Sequence, residues 1–216
     1  GAQAQELRPD IFVYGAAIDA CQKAGQAGAA LALVAEARDS GAGLSAVACN
    51  AAIGACGRGG RWQAALDLLC GMQRRGPAPG ATSYNAAINA CERGQQWQRA
   101  VALLWEMPSR RVSPDVVTYN ATISACKRGR HWPGALHLFD ELRSRWLQAS
   151  LVTYSAVISA CERGSHWQGG LRLYEELHDS GLRANAFARN AAISACARGR
   201  RWQSALALLG PAAEAD

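Results

Sequence analysis

The sequence predicts an all-α protein, a right-handed α-solenoid of stacked helix–turn–helix hairpins. Three observations predict it: the sequence repeats at a constant step of 35 residues, each repeat has two stretches of helical apolar spacing, and none alternates apolar and polar residues as a strand would. The segment TSYNAAINACERG from Thr82 aligns without gaps with VTYNATISACKRG from Val117 and VTYSAVISACERG from Val152. One hairpin cannot bury its own apolar face, so neighbouring hairpins are expected to share a core.

The register divides the chain into five whole repeats and one partial repeat. They span residues 11–45, 46–80, 81–115, 116–150, 151–185 and 186–216. Residues 1–10 are expected to be the tail of a preceding repeat, because LRPD, which ends at Asp10, is similar to VSPD, which ends at Asp115. Gly210 and Pro211 interrupt the last second helix early, as expected of a piece of a longer solenoid.

The first helix of each repeat carries one apolar stripe. In repeat 3 the stripe is Tyr84, Ala87, Ile88 and Cys91, at the i, i+3, i+4, i+7 spacing of a helix face. A glycine then ends the helix, and we expect it to adopt the positive φ of a tight turn. These glycines are Gly25, Gly59, Gly94, Gly129, Gly164 and Gly199.

The second helix begins at a tryptophan that recurs in five repeats. These residues are Trp62, Trp97, Trp132, Trp167 and Trp202. A column of tryptophans could stack on nucleic-acid bases, but its phase with the apolar stripe Ala100, Val101, Leu104 and Met107 favours a packing role. Gly or Pro closes each second helix.

The composition excludes several classes of protein. Half of the 216 residues are hydrophobic and 19% are charged, which excludes a disordered chain. The net charge of +6 is compatible with a polyanionic partner without identifying one. No apolar run approaches the roughly 20 residues that cross a bilayer, and no targeting segment is apparent at the N-terminus. We expect no membrane partner and no small-molecule substrate.

The cysteines and histidines do not form a catalytic or metal-binding pattern. Six cysteines recur at intervals of 35 residues, and there is no Cys-x-x-Cys pair, so we expect reduced core thiols rather than disulfides or zinc ligands. His131 and His166 occupy equivalent turn positions beside a tryptophan, and we expect them to be surface turn residues. No phosphate loop, carboxylate pair or nucleophile motif is present. The chain is therefore predicted to be neither an enzyme nor a cofactor-binding protein.

Three features of the chain carry a family resemblance: the 35-residue step, the first-helix sequence VVTYNATISACKRG and the Pro-Asp that closes the repeat. In these features the chain resembles the pentatricopeptide repeat family of RNA-binding proteins. The resemblance spans the whole chain and implies that first helices line a concave face and hold RNA with its 5′ end toward the protein N-terminus. Each base would be read by one first-helix residue and the residue that ends the same repeat. Gly15 and Ser45 would read the first base, and the other readers are Asn50, Gly80, Asn85, Asp115, Asn120, Ser150, Ser155, Asn185 and Asn190.

The family's pairing rules imply a 5′-UCA-3′ core. They assign Asn85 with Asp115 to uracil. They assign Asn120 with Ser150 to cytosine, and Ser155 with Asn185 to adenine. Asn190 would favour a pyrimidine after this core, and the readers of repeats 1 and 2 specify little. Asn and Ser have the donors and acceptors for a Watson–Crick edge, which favours base reading; the alternative is that they cap or start the first helices.

Two further columns are implied to contact RNA. The base-sandwiching column is Phe12, Val47, Thr82, Val117, Val152 and Phe187. The cation column, implied to contact phosphates, is Lys23, Arg58, Arg93, Arg128, Arg163 and Arg198. Cations at helix C-termini also interact favourably with the helix dipole, so the second column has a purely structural alternative.

The sequence thus favours selective binding of single-stranded RNA. The resemblance implies a role in RNA processing, stability or translation in a mitochondrion or chloroplast. Two alternatives stay open: a protein-binding helical scaffold, whose groove would hold a peptide, and a structural piece that binds only together with further repeats.

Overall fold

The computed structural model describes residues 11–209, which form twelve α-helices and no β-strand. The odd-numbered helices are the first helices of the repeats: α1 Ile11–Ala24, α3 Ala46–Arg58, α5 Ala81–Arg93, α7 Val116–Arg128, α9 Leu151–Arg163 and α11 Ala186–Arg198. The even-numbered helices are the second: α2 Ala27–Asp39, α4 Trp62–Arg75, α6 Trp97–Ser109, α8 Trp132–Ser144, α10 Trp167–Asp179 and α12 Trp202–Leu209. The predicted tail 1–10 and the end of the partial repeat, 210–216, lie outside the described residues. Within residues 11–209, no helix is both long and apolar enough to cross a membrane.

Each first helix from α3 onward starts after the residue that ends the preceding repeat. The Asp115 carboxylate accepts a hydrogen bond from the Thr118 backbone N–H at 2.8 Å, which satisfies one N–H that the helix leaves unpaired. Ser45, Ser150 and Asn185 cap α3, α9 and α11 with their side chains in the same way. Such a cap stabilises a helix by roughly 1 kcal/mol.

The helices stack as an all-α solenoid with two layers. Consecutive first helices pack against one another from α1 to α11, and each second helix from α2 to α10 packs against its own first helix and the next one. The backbones of neighbouring second helices lie farther apart, and these helices meet only through side chains, as in the Gln73–Glu106 hydrogen bond and the Arg143–Glu176 ion pair. Because the first helices are in contact and the second helices are spread apart, the stack curves with the first helices on its inner side.

The core lies between the two layers. Tyr84, Tyr119 and Phe139 are among its largest fully buried side chains.

All eight cysteines are free thiols. Five members of the periodic cysteine column are buried in the core, and the sixth, Cys21, is half-buried. Burial raises the pKa of Cys91 to about 11 and the pKa of Cys126 and Cys161 to about 12, so the thiolate form is strongly disfavoured there.

The glycines that end the first helices do not have the conformation predicted from the sequence. From α3 onward φ at this position lies between −89° and −76°, at Gly59, Gly94, Gly129, Gly164 and Gly199. Positive φ values of 55° to 71° belong to the following residues, Gly60, Gln95, Arg130, Ser165 and Arg200. Gly25, with φ of 68°, is the repeat 1 equivalent of Gly60, so it belongs to the positions with positive φ. The prediction of positive φ was therefore wrong for five of the six.

A close contact with tryptophan accounts for these glycines. A Cβ added at Gly94, Gly129, Gly164 or Gly199 would lie 2.1 to 2.4 Å from Cδ1 of the tryptophan of the preceding repeat. Atoms do not approach so closely, so a side chain here would displace the indole ring. Repeat 1 has Ala27 at the tryptophan position, and a Cβ at Gly59 would meet its Cβ at 2.7 Å. The glycine column is thus required by packing between repeats.

Candidate nucleic-acid interface

The first-helix reader column lies in the crevice between consecutive first helices, on the inner side of the stack. Asn50, Asn85 and Asn120 are half-buried, and each has an Oδ1 atom buried from solvent without a hydrogen-bond partner among the described residues. Buried polar atoms usually have a partner, so these atoms need another explanation. They are not helix caps, because they lie in the second turn of their helices. The capping alternative is therefore wrong for this column.

The other members of the column differ in accessibility. The Ser155 side chain is 7% exposed, and its Oγ is also buried without a partner. Asn190 is exposed, since no described first helix follows α11 to cover it. At Gly15 a Cβ would meet Ala48 of the next first helix at 3.9 Å, which shows how closely the next helix approaches this position.

The repeat-ending readers are themselves the helix caps described above. Asp115 uses Oδ1 to accept from both Thr118 N and Thr118 Oγ1 at 2.8 Å. Asn185 likewise uses Oδ1, which accepts from Ala188 N at 2.8 Å. Capping therefore leaves the second carboxylate oxygen of Asp115 and the amide nitrogen of Asn185 available for a ligand.

The two predicted readers of repeat 3 lie next to each other. Burial opposes ionisation of Asp115, but hydrogen bonds from the Thr118 backbone, the Thr118 hydroxyl and the Asn85 side chain lower its pKa below the ordinary value. The only donor of an Asn side chain is its Nδ2 group, so this group of Asn85 faces the carboxylate. The structure thus brings an amide and a carboxylate from opposite ends of one repeat to the same place.

The base-sandwiching column is exposed at the start of the first helices. Phe12, Val47, Val117, Val152 and Phe187 are 54% to 80% exposed, and Thr82 is exposed as well. Apolar side chains of this size are usually buried, so a regular column of exposed ones indicates a contact surface. It lies one helical turn before the reader column, on the same side of each helix.

The cation column is exposed in all six repeats, but its members differ in ion pairing. Lys23 pairs with Asp19 at 2.7 Å, Arg128 with Glu92 at 2.9 Å, and Arg198 with Glu162 at 3.2 Å. Within residues 11–209, the other three members have no carboxylate partner; they are Arg58, Arg93 and Arg163.

The ion pairs between repeats depend on the residue that precedes each member of the cation column. This dependence was not predicted from the sequence. Glu92 and Glu162 precede Arg93 and Arg163 in the chain, yet each pairs with the arginine of the following repeat. The equivalent residue in repeat 4 is Lys127, which adds a positive charge. Burial lowers the pKa of Lys127, and nearby Arg128 and Arg163 lower it further, whereas Glu92 raises it. The sequence shows the basis of this difference as an alternation of charge in three consecutive repeats: Glu92-Arg93, Lys127-Arg128 and Glu162-Arg163.

A polar groove of about 310 Å³ opens between α1, α3 and α5 on the inner side. Gly54 and Gly57 line it where the Gln22 side chain and Ala90 of α5 pack against them, and Asn89 also lines it. Arg58 and Arg93, two unpaired members of the cation column, also line it. Glu92 lines the groove as well, so its two guanidinium groups and one carboxylate give it a net positive charge, which suits an anionic ligand.

Four of the five column tryptophans are half-buried in packing contacts, whereas Trp202, in the last described helix, is 65% exposed. The Trp97 ring stacks on the His131 ring at 3.8 Å and 16°, and Trp132 stacks on His166 at 3.9 Å and 9°. The Arg201 guanidinium lies 4.7 Å from the Trp167 ring centroid. These contacts agree with the packing role. His131 and His166 lie in the turns that precede α8 and α10, as predicted, and this stacking leaves them half-buried.

Family models match most of the chain. The model described as PPR repeat family matches residues 44–93, 79–128 and 114–163, and the model described as PPR repeat matches residues 152–182. No protein among curated sequences matches the chain.

Within residues 11–209, no group of three or more His, Cys, Asp or Glu side chains could hold a metal ion.

Solved structures resemble the chain closely. The crystal structure of the pentatricopeptide repeat protein PPR10 from maize superposes with a TM-score of 0.71 at 28% identity, over 96% of this chain and 29% of that one. PPR10 in complex with an 18-nt psaJ RNA element gives 0.72 at 28% identity, over 93% of this chain and 33% of that one. The chain thus spans about a third of these proteins. The PPR domain of Arabidopsis thaliana protein-only RNase P 1, in complex with tRNA, gives 0.62 at 14% identity over 73% and 83%, a likeness of fold alone.

Proposed function

The chain belongs to the PPR repeat family, and we propose that it binds single-stranded RNA through the inner surface of its first helices, about one base per repeat. The position of Asn85 beside Asp115 carries the proposal. These two side chains come from opposite ends of one repeat, and the Asn85 amide lies beside the Asp115 carboxylate, whose Oδ1 caps α7. The base-sandwiching column stands one turn away, where a base could stack against it.

The caps suggest a physical basis for the implied base preferences. Capping leaves Asp115 with a free acceptor oxygen, which suits the N3–H donor of uracil. Capping leaves Asn185 with a free amide donor, which suits the N1 acceptor of adenine. Ser150 accepts a hydrogen bond from Thr153 N, and when the Thr153 hydroxyl donates to it as well, the Ser150 hydroxyl hydrogen is left for the N3 acceptor of cytosine. Repeats 3 to 5 would therefore read 5′-UCA-3′.

The flanking repeats should contribute less selectivity. Gly80 offers no side chain beside Asn50, and Gly15 offers none beside Ser45, so each of these repeats has one reader at most. Asn190 would favour a pyrimidine after the core. In repeat 5 the buried Ser155 presents little surface, and Asn185 should dominate recognition of adenine.

Relatives support RNA as the ligand and suggest a cellular role. One PPR10 structure is described as a complex with an 18-nt psaJ RNA element. We extend this to a role in RNA processing, stability or translation in a mitochondrion or chloroplast, as the family resemblance implies.

Binding of short fluorescent RNAs tests the proposal. An RNA that contains UCA should bind more tightly than the same RNA with these bases permuted, and log K should fall with log salt at a slope of about −3 to −4 if four to six phosphates are contacted. The matched control is the same sequence as double-stranded RNA, whose bases are paired and cannot be read. Equal affinity for every permutation would refute the code, and no binding of any RNA would favour the protein-scaffold alternative.

A further inference from the structure

Four repeats share a hydrogen bond that joins their two helices. The hydroxyl of Tyr14 donates to Glu36 at 3.1 Å, and the same bond recurs 35 residues later in other repeats. It joins Tyr84 to Glu106 at 3.2 Å, Tyr119 to Glu141 at 2.9 Å and Tyr154 to Glu176 at 3.1 Å. In each repeat the ring is buried between the two helix layers, and the carboxylate lies at its hydroxyl end.

Repeat 2 lacks both members of this pair. Cys49 stands in place of the tyrosine, and Gly71 stands in place of the glutamate. A cavity of about 440 Å³ opens there, between α2, α3 and α4. Val34, Leu68 and Met72 contribute to its apolar wall. Its size lies within the range of small-molecule pockets, roughly 300 to 1,000 Å³.

Two arginines at this cavity have lost the carboxylate that their equivalents bind. In repeat 3, Arg110 pairs with Glu106 of its own helix at 3.2 Å. Arg75 is the equivalent residue of repeat 2, and it lines the cavity one turn after Gly71 on α4, the position where four other repeats have a glutamate. The cavity therefore has one guanidinium group where a carboxylate is missing.

The second arginine comes from the preceding repeat. Arg143 of repeat 4 forms an ion pair with Glu176 of repeat 5. Arg38 is equivalent to Arg143, and its Nη2 lies 3.5 Å from the position that a Cβ of residue 71 would take. Within residues 11–209, Arg38 has no carboxylate partner.

We propose that this cavity binds an aromatic carboxylate, with the ring in the place of the missing tyrosine and the carboxylate between Arg38 and Arg75. Phenylacetate joins the two groups in one small molecule: its ring would lie where the tyrosine ring does in other repeats, and its carboxylate would extend from the ring toward the position of the glutamate carboxylate. Burial of the ring and a charge-assisted hydrogen bond to each guanidinium would act together. The site is separate from the proposed RNA-binding surface and is independent of the RNA hypothesis.

Titration of the intact chain with phenylacetate tests the inference. We expect a dissociation constant on the order of 1 mM or lower, with a rise in the midpoint of thermal unfolding. The probe p-cresol has the ring without the charge, and acetate has the charge without the ring; each should bind at least about tenfold more weakly. A blocked Tyr-Glu dipeptide is a further probe. Weaker binding of the dipeptide than of phenylacetate is the expected result; tighter binding of the dipeptide would overturn the small-molecule occupant in favour of a segment of a partner protein.

Variants locate the site. Arg38→Gln and Arg75→Gln should each weaken phenylacetate binding by about tenfold, the effect of losing one charge-assisted hydrogen bond. Arg110→Gln is the matched control and should leave binding unchanged, because its carboxylate partner is present. Gly71→Glu places a carboxylate beside Arg38, and Cys49→Tyr with Gly71→Glu rebuilds the whole pair, so both variants should abolish binding. Absence of phenylacetate binding at about 10 mM, or equal binding by Gly71→Glu, would overturn the inference.

Discussion

Trp97 packs so closely on Gly129 that a methyl group on this glycine would lie 2.3 Å from Cδ1 of the indole. The contact joins the second helix of one repeat to the end of the first helix in the next repeat. It recurs along the stack and, together with the stacking of Trp97 on His131, helps hold neighbouring repeats in register.

Gly129→Ala should therefore destabilise the chain. The added methyl group forces the indole out of its place, and overpacking of this kind costs roughly 1–3 kcal/mol. Arg130→Gly is the matched control at the next residue: Arg130 has φ of 55°, which glycine adopts without strain, so this variant should be neutral or stabilising by up to about 1 kcal/mol. Urea unfolding of both variants measures the difference. Equal stability of Gly129→Ala and the unchanged chain would show that the indole can move at no cost.

Asp115→Ser should change base selectivity without unfolding α7. Ser150 caps α9 with the same hydrogen bond to a threonine N–H, so serine can replace the capping function of Asp115 to within about 1 kcal/mol. The free acceptor is replaced by a hydroxyl donor, and the preferred base should shift from uracil to cytosine. Affinities for RNAs that differ only at this base measure the shift. A loss of affinity for both RNAs to the same extent would contradict the assigned role of Asp115.

Asp115→Ser should also alter the pH dependence of stability. The lowered pKa of Asp115 means that the ionised carboxylate favours the folded state; its contribution is present above the unfolded pKa of about 3.9 and is lost as the pH falls through the folded pKa. The serine variant lacks this titration. Unfolding midpoints of the two proteins should therefore differ less at pH 2 than at pH 6, whereas a constant difference would show that ionisation of Asp115 does not contribute.

Glu92→Gln with Glu162→Gln should strengthen RNA binding. The two substitutions release Arg128 and Arg198 from their ion pairs and remove two negative charges near the RNA. If each freed arginine contacts one phosphate, the slope of log K against log salt should steepen by about 1.4. Glu175→Gln changes one charge on the exposed side of a second helix and should leave the slope unchanged. A slope that Glu92→Gln with Glu162→Gln leaves unaltered would remove Arg128 and Arg198 from the RNA-contacting set.

The thiols should differ in reactivity with a maleimide. Cys21 and Cys70 are half-buried, whereas Cys126 and Cys161 are buried and burial raises their pKa to about 12. Modification at pH 7 should therefore occur first at Cys21 and Cys70, as mass spectrometry of digested protein would show. Early modification of Cys126 or Cys161 would indicate that the core between α7 and α9 opens readily.

Much of the fold could be predicted from the sequence because it depends on local chemistry that repeats. Apolar spacing determined which stretches are helices, and the 35-residue step determined that the hairpins stack. The cysteine column was placed in the core for the same reason. The candidate reader columns followed from the family motif, which fixes their place on each first helix, so their presence on the inner side needed no knowledge of long-range contacts.

Contacts between repeats could not be predicted in this way. A pattern in one repeat gives the position of Gly129 but not its neighbour Trp97, and the glycine was assigned to a turn because that is the commonest local role. The pairing of Arg128 with Glu92 also joins two repeats, so the sequence showed six equivalent cations where the structure has three paired and three unpaired.

The sequence by itself determined the helices, their order, their apolar faces and the periodic columns, because these depend on residues within one or two helical turns. Only the tertiary structure decided which atoms of adjacent repeats meet. These contacts depend on the close packing of one repeat on the next. Close packing requires a glycine beside the indole of the preceding repeat and buries the Asn oxygens without partners. Where Cys49 and Gly71 replace a tyrosine and a glutamate, the packing is incomplete and a cavity opens.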